Sequence, residues 1–429
     1  PSSSYSCHCH RTSSAARHHA VSIFARRPAS PTRAVVVLSC CALLLCASVF
    51  ASSRSASQHP RIVSDSHHNV ASSEPPHFMT TTAAASSRPG AVAVIPNIVY
   101  GTAWKAQRTA ELVYQALSAV FRGIDTACQP KHYFEPGVGV ALEKAIAANL
   151  VRREDVFLQT KFTALSGQDT SKPIPYDPRA PLPEQVRQSV ARSLSNLKTD
   201  YIDSLVLHSP MDTHEETMVV WRTMEDLHRT GKVLRLGISN IYDIGQLRAL
   251  IEQAAIPPQV VQNRFYADSS YDVDIRALCR QRGMTYQTFW TLTANPHVVA
   301  SPFMASLVTR KNAAIEQRLQ RSPEARAVMD TYAVKTPYFT PSSLFLRYVR
   351  QLGGTPLTGT TSDLHMQEDL FALSTVEAVF AAGGVQGLRD EEHASRVAWR
   401  AGDVGSYALD EAEMKAISDL LVTKTNRRR

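Results

Sequence analysis

Four ionisable side chains stand where apolar, strand-like segments of this sequence end. Asp125 and Lys161 each close one such segment, and His208 closes a third. The phenol of Tyr133 lies in the loop after Asp125, and a helix marked by Gly139 follows. In a parallel α/β barrel the carboxyl ends of all strands open onto one mouth, where the chemistry takes place. The spacing therefore predicts an acid–base site at the mouth of a barrel.

The segments that position these residues alternate between strand-like and helix-like patterns. The helix-like segments carry apolar residues at helical spacing, such as Val186, Val190 and Leu194, which indicate core-facing stripes. Strands are predicted over residues 95–100, 123–126, 156–160, 202–207, 234–239, 259–262, 285–289 and 355–358. Helices are predicted over residues 109–120, 138–148, 182–197, 214–229, 244–253, 273–282 and 341–351. This alternation predicts an α/β fold, a single (β/α)8 TIM barrel.

Several motifs, in the correct order, resemble those of the aldo-keto reductase family. The family's catalytic tetrad is matched by Asp125, Tyr133, Lys161 and His208. Residues 231–240 resemble the strand that carries the family's Ser-Asn pair, and residues 258–263 resemble the strand that carries its Gln. The resemblance runs from about residue 95 to residue 369. It implies an NAD(P)H-dependent oxidoreductase that reduces aldehyde, ketone or sugar carbonyls to alcohols by hydride transfer.

The resemblance also implies a role for each member of the tetrad. Tyr133 would be the general acid, although a free phenol has a pKa near ~10. Lys161 would lower that pKa, and Asp125 would orient the lysine. His208 would form a hydrogen bond to the carbonyl oxygen of the substrate. The family's tyrosine usually stands where Pro130 stands here, so the loop has to bulge to return the phenol to the site.

The resemblance assigns further residues to the cofactor and the substrate. The expected cofactor contacts are Gly101, Thr102, Ser239, Asn240, Gln262, Phe289, Gly359 and Thr360. Ser239, Asn240 and Gln262 would bind the nicotinamide carboxamide, and Phe289 would stack on the ring. Trp104 would line the substrate pocket together with His208. If Tyr133 is not the acid, His132 is the next candidate.

Recognition of the adenosine 2′-phosphate is the weakest part of the resemblance. Many family members place Lys and Arg after the last strand, where this sequence has Gly359 and His365. A neutral histidine supplies little charge, so the usual preference for NADPH should shrink. NADPH is the expected cofactor, with NADH as the alternative.

The first 90 residues differ in composition from the rest of the chain. They contain eight Arg against two acidic residues, which accounts for most of the net charge of +8. The remainder is close to neutral, so nucleic acid binding is not expected. Residues 1–90 are predicted to be a disordered extension. The segment 7–10 has no second ligand pair at zinc spacing, so no metal site is expected.

Location depends on how this extension is interpreted. The apolar run over residues 34–51 has the pattern of a secretory signal or short anchor. The first methionine is Met79, so residues 1–78 can also be a truncated precursor or mis-assigned upstream sequence. We expect a cytoplasmic enzyme that starts at Met79, with a secretory or organellar protein as the alternative. The barrel is expected over residues 91–425, with insertions at about 296–340 and 376–408.

Two other function classes are compatible with the same barrel. A cofactor-binding regulatory subunit of a membrane channel would keep the cofactor and lose catalysis, and the altered segment 290–293 fits that alternative. A barrel aldolase would use Lys161 to form a Schiff base. For the reductase, the expected partner is a small-molecule carbonyl substrate, with no nucleic acid and no membrane for the barrel. The barrel is expected to be a monomer or a dimer.

Overall fold

The structure is a computed structural model that describes residues 93–321, 323, 338–373 and 408–426. Within these residues, eight parallel strands close into a barrel in which each strand pairs with the next and β8 pairs with β1. The strands are β1 (Val99–Gly101), β2 (Gly123–Asp125), β3 (Phe157–Phe162), β4 (Ser204–Leu207), β5 (Leu236–Ser239), β6 (Val260–Arg264), β7 (Thr285–Phe289) and β8 (Gly354–Thr358). The (β/α)8 fold predicted from the alternation is therefore confirmed.

Helices connect the strands and follow the last one. They are α1 (Thr109–Ser118), α2 (Glu135–Ala147), α3 (Leu182–Leu197), α4 (His214–Arg229), α5 (Ile244–Gln253), α6 (Val273–Arg282), α7 (Pro296–Val299), α8 (Pro302–Arg321), α9 (Pro341–Gln351), α10 (Asp363–Leu373) and α11 (Glu411–Asn426). The described part of the 296–340 insertion contains α7 and α8. The 1–90 extension lies outside the described residues, as does nearly all of the 376–408 insertion.

Strand β3 shows how one strand serves both the core and the site. Leu158 and Phe162 pack with apolar residues of the surrounding helices. Gln159 and Lys161 point in the other direction, into the barrel, where both contact Asp125. This division follows from the two-residue period of a strand. The strand is longer than the predicted 156–160 because its ladder with β4 continues to Phe162, so Lys161 lies within the strand.

Buried Glu135 fixes the start of α2, two residues after Tyr133. Its Oε1 accepts hydrogen bonds from Thr160 at 2.6 Å and Ser193 at 2.9 Å, and its Oε2 accepts from Asn196 at 2.9 Å. These bonds join β3, α2 and α3 around one carboxylate. The loop that carries the phenol is thus anchored at its carboxyl end.

Cys128 and Cys279 are free thiols and both are buried. No helix in the described part of the chain is both long enough and apolar enough to cross a membrane.

Helices α2 and α3 approach each other so closely at Gly139 that a methyl group there would overlap the backbone carbonyl of Asn196. We expect Gly139→Ala to lower the free energy of unfolding by about 1–3 kcal/mol, because the helices must move apart. Urea unfolding followed by circular dichroism measures the loss. Val140→Ala, at an exposed position of the same helix, should change stability by about 0.5 kcal/mol or less. Equal losses in the two variants would contradict the close approach.

Candidate active site

A buried ion pair between Asp125 and Lys161 lies at the centre of the candidate site. The lysine Nζ is 2.7 Å from Asp125 Oδ1 and 2.6 Å from Oδ2, and it also donates to the backbone oxygen of Thr126 at 2.8 Å. Three acceptors therefore surround an ammonium group that has three hydrogens. Both side chains are almost inaccessible to solvent. Burial lowers the pKa of Lys161, and the charge of Asp125 opposes that shift.

Two glutamine amides donate to Asp125, and a third glutamine accepts from both of them; we call the three side chains the amide layer. Nε2 of Gln159 donates to Asp125 Oδ1 at 2.8 Å, and Nε2 of Gln262 donates to the same oxygen at 3.0 Å. Both nitrogens also donate to Oε1 of Gln287, at 2.7 and 2.8 Å. Gln262 was expected at the site from the sequence, whereas Gln159 and Gln287 were not. Their signal was positional, because Gln159 stands two residues before Lys161, and Gln287 stands two before Phe289.

The Tyr133 ring lies beside this ion pair. Lys161 Nζ is 5.2 Å from the centre of the ring, and the centre of the His208 ring is 6.1 Å from it. The backbone N–H groups of His132 and Tyr133 both donate to the carbonyl of Gln129, so the loop folds into a tight turn. This turn absorbs the extra residues between the aspartate and the tyrosine and returns the phenol to the tetrad.

The pKa of Tyr133 shifts upward, opposite to the direction expected from the sequence. Burial is the main cause, and the negative charge of Asp125 adds to it. Lys161 is not among the causes of this shift, and its ammonium contacts both carboxylate oxygens of Asp125. Before substrate and cofactor bind, the phenol is therefore held in its protonated form.

His208 is held by a partner that the sequence analysis did not identify. Its Nδ1 is 2.7 Å from the hydroxyl oxygen of Thr163. Burial, together with Lys161 and His132, lowers the pKa of His208 well below its usual range, so the ring is neutral. When the Thr163 hydroxyl donates to Nδ1, the single ring proton is on Nε2. That tautomer can donate a hydrogen bond to a carbonyl oxygen.

Trp104 and His132 form an aromatic pair at the rim of the mouth. Their ring centres are 3.9 Å apart, and the backbone N–H of Trp104 donates to the backbone carbonyl of His132 at 2.7 Å. Trp104 is 61% exposed, an unusual value for a tryptophan. Burial, with the charges of Lys131 and Lys172, lowers the pKa of His132 to about 4. At neutral pH this histidine is therefore not a cation.

The three residues expected to bind the carboxamide are neighbours. The Ser239 hydroxyl donates to the backbone oxygen of Gln262 at 2.7 Å, and Nδ2 of Asn240 donates to Ser239 Oγ at 3.2 Å. Asn240 Nδ2 also donates to the backbone oxygen of His208 at 2.8 Å, which links this group to the tetrad. Strands β5 and β6 thus bring all three to one side of the mouth.

The remaining cofactor candidates lie at the ends of β1 and β7, and Gly359 and Thr360 follow β8. Thr102, next to Gly101 in the chain, donates to the backbone oxygen of Asp125 through both its N–H and its hydroxyl, each at 2.9 Å. Phe289 lies at the end of β7, where its ring centre is 5.8 Å from the guanidinium of Arg264. That guanidinium stacks on Trp290 at 4.0 Å.

A cation that the sequence analysis did not assign lies at the β8 end of the mouth. Nζ of buried Lys105 donates to the backbone oxygen of Gly359 at 2.8 Å. No carboxylate in the described ranges lies within 4 Å of this ammonium, which is therefore buried without a counter-ion. Burial and the charge of Arg108 lower the pKa of Lys105 to about 8. His365, which stands at the position of the family's arginine in the sequence, is exposed.

Comparison with known proteins identifies one family. The model of the Aldo/keto reductase family matches residues 97–379. The methylglyoxal reductase DkgA of Escherichia coli (strain K12) is 30% identical to the chain over 171 residues, which cover 39% of this chain and 54% of that protein. The chain therefore spans about half the length of this curated relative.

Solved structures show the same fold. The aldose reductase of Schistosoma japonicum has a TM-score of 0.52 and 20% identity, over 76% of this chain and 88% of that one. An aldo-keto reductase of the silkworm Bombyx mori, AKR2E5, complexed with NADPH, has a TM-score of 0.50 and 19% identity, over 76% of this chain and 84% of that one.

The ion pair can be tested through stability alone. Asp125→Asn leaves the Lys161 ammonium buried without its anion, so we expect the free energy of unfolding to fall by about 3–5 kcal/mol. The double variant Asp125→Asn with Lys161→Met removes both charges and should recover part of that loss. Urea unfolding of the two single variants and the double variant measures the coupling. Losses that simply add would show that the two groups do not act as a pair.

Proposed function

The chain belongs to the aldo/keto reductase family, and we propose that it reduces aldehyde, ketone or sugar carbonyls to alcohols with a nicotinamide cofactor. The observation that carries this proposal is the meeting of Asp125, Tyr133, Lys161 and His208 at one barrel mouth. The four residues span 83 positions in the chain. The Lys161 ammonium contacts the Asp125 carboxylate, and the Tyr133 ring lies near both Lys161 and His208. None of these side chains would be expected to come together for packing alone.

Each member of the site has a distinct task in this reaction. The reduced nicotinamide, when bound, supplies the hydride that the carbonyl carbon receives. Tyr133 donates its proton to the carbonyl oxygen, so that carbonyl becomes alcohol and phenol becomes phenolate. Lys161 stabilises that phenolate, and Asp125 holds the lysine in place. His208 donates a hydrogen bond from Nε2 to the carbonyl oxygen, which directs it towards the phenol.

The residues present fit a nicotinamide carboxamide. Asp125 accepts hydrogen bonds only, so the amide nitrogen of Gln262 must face it, and both hydrogens of that nitrogen are used inside the barrel. The amide oxygen of Gln262 is left to accept from the carboxamide NH2. Ser239 and Asn240 lie next to it, and Phe289 offers an aromatic face.

The fit extends to the phosphate end of NADPH. Lys105 is a buried ammonium with no carboxylate partner among the residues that the structure describes, and a buried cation of this kind favours an anionic ligand. It contacts Gly359, where the family usually has its own lysine, so it can replace the missing charge. We therefore take NADPH as the cofactor, as in the silkworm aldo-keto reductase structure, with NADH as the alternative.

For the substrate we propose small aldehydes. The relatives are a methylglyoxal reductase and an aldose reductase by their names. The aromatic pair of Trp104 and His132 lies at the rim of the mouth, where it can cover a small apolar or hydroxylated aldehyde without supplying charge.

The general acid is tested by Tyr133→Phe, which removes the proton donor and almost no volume. We expect kcat for aldehyde reduction to fall by about 10²–10⁴-fold, with the Kd for NADPH changed little. Stopped-flow or steady-state absorbance of NADPH measures the first quantity, and quenching of tryptophan fluorescence measures the second. Tyr114→Phe, on outer helix α1, is the control.

Retention of near-wild-type turnover by Tyr133→Phe would place the acid elsewhere, with His132→Ala as the next variant to measure. NADPH binding by a wild-type protein without reductase activity would favour the regulatory channel subunit instead.

The cofactor preference is tested at Lys105. A charge-assisted hydrogen bond is worth ~1.5–3 kcal/mol, so Lys105→Met should weaken NADPH binding about ten- to a hundredfold more than NADH binding. The ammonium form is lost as the pH rises through about 8, so the wild-type preference for NADPH should fall between pH 7 and 9. Fluorescence titration with both cofactors at both pH values measures this.

In Lys105→Met that pH dependence should disappear, whereas His365→Ala should keep it. Equal weakening of NADPH and NADH in Lys105→Met would show that the lysine contacts a group that both cofactors share. Loss of the NADPH preference in His365→Ala but not in Lys105→Met would return the role to His365.

A further inference from the structure

We propose that Gln159 and Gln262, aligned by Gln287, are positioning residues that partly neutralise Asp125 and so allow the charge of Lys161 to act on Tyr133. This inference rests on the proposed reductase function and deepens it. Neither Gln159 nor Gln287 is among the residues that the family resemblance assigns to the site.

The geometry of the amide layer directs two amide donors at Asp125. Gln159 is fully buried and Gln262 almost so, and both reach the same carboxylate oxygen, Asp125 Oδ1. Oε1 of Gln287 accepts from both amide nitrogens, at 2.7 and 2.8 Å. Since one carbonyl oxygen receives both donors, it fixes the rotation of the two amides. Their remaining N–H groups then point at Asp125.

Lys161 and the two amides compete for the Asp125 charge. When a carboxylate and an ammonium group interact only with each other, their charges nearly cancel. Such a pair exerts little electric field on a neighbouring side chain. Asp125 Oδ1 accepts three hydrogen bonds, of which only one comes from Lys161. The two amide donors draw negative charge away from the lysine without adding a charge of their own. The pair therefore keeps a positive side, and that side faces the Tyr133 ring, 5.2 Å from Nζ.

The sharing of the Asp125 charge acts on the phenol of Tyr133. Asp125 raises the pKa of Tyr133, in the same direction as burial does. A carboxylate whose charge is shared among more donors disfavours the phenolate less. The amide layer thus opposes one of the two causes that make Tyr133 a weak acid. Loss of an amide donor should raise the pKa of Tyr133 further.

Other ionisable groups near the phenol do not produce the same signal. The titratable groups around it are Asp125 on β2, Lys161 on β3, His208 after β4, and Lys131, His132, Glu135 and Lys172 around its loop. The pKa of His208 is well below its usual range and that of His132 is about 4, so both are neutral above pH 6. The substitutions below leave all of these groups in place. Saturating cofactor removes any contribution from Lys105.

The experiment follows alcohol oxidation, for which Tyr133 must be ionised. We would measure kcat with saturating oxidised cofactor between pH 6 and 10.5 for wild type, Gln159→Leu, Gln159→Glu and Gln287→Leu. We expect Gln159→Leu to move the rising part of the kcat–pH profile to higher pH, by about 0.5–1 pH unit. Gln159→Glu places a second carboxylate against Asp125 and should move it further. Gln287→Leu keeps both donors but releases their alignment and should give the smallest shift.

Two further measurements separate this role from a structural one. KM for the alcohol and Kd for the cofactor should stay within about twofold of wild type in Gln159→Leu, since Gln159 is fully buried and its amide nitrogen donates to Asp125 and Gln287. Gln185→Leu removes a comparably buried amide, which on outer helix α3 donates to the backbone oxygen of Ala180. Gln185→Leu should lower the melting temperature without moving the rising part of the kcat–pH profile.

An unshifted kcat–pH profile in Gln159→Leu, with kcat falling in step with the melting temperature as in Gln185→Leu, would overturn the proposal. A downward shift would overturn it as well, because it would mean that the amides disfavour the phenolate. Absence of any alcohol oxidation or aldehyde reduction by the wild-type protein would instead reject the proposed function itself.

Discussion

The burial of one ion pair inside the barrel is the constraint on which the rest of the site depends. Removing a carboxylate and an ammonium group from water costs several kcal/mol for each ion, even after the protein relaxes. Their mutual attraction compensates for that cost only when the remaining hydrogen-bond positions are filled. In this chain Lys161 has three acceptors, and Asp125 accepts from both the lysine and two amides. The polar interior of the barrel mouth is therefore a consequence of the ion pair.

The same burial sets the protonation states of the groups that surround the pair. Loss of solvent disfavours charge, so it raises the pKa of Tyr133 and lowers that of His208. At neutral pH the mouth thus presents a protonated phenol and a neutral imidazole, which are the forms that can give hydrogen bonds to a carbonyl oxygen. The Thr163 hydroxyl at Nδ1 supports this arrangement, because the ring proton of His208 is on Nε2 when that hydroxyl donates to Nδ1.

The sequence predicted the barrel and the placement of the four ionisable groups, because three of them stand at or next to the end of a strand and Tyr133 lies in the loop after the first of these strands. It did not predict the amides, although the two-residue period of β3 already placed Gln159 on the same face as Lys161. The alternation of β3 indicates that the Gln159 side chain points into the barrel. It does not indicate that the side chain contacts Asp125 and Gln287, which lie on other strands. Thr163 was missed for a related reason. Its contact joins the ends of β3 and β4, 45 residues apart, and only the closed sheet brings those ends together.

Lys105 shows most clearly why charges in a closed barrel cannot be assigned one strand at a time. After the last strand, Gly359 and His365 stand at the positions of the family's lysine and arginine, and neither residue carries a permanent charge. Barrel closure pairs β8 with β1, so the loop after β1 lies against the loop after β8 although 254 residues separate Lys105 from Gly359. An ammonium group from the first loop can then occupy the space that a lysine of the last loop would fill. The charge at this part of the mouth is a property of neighbouring strand ends, and the sequence that follows any one strand contains only part of it.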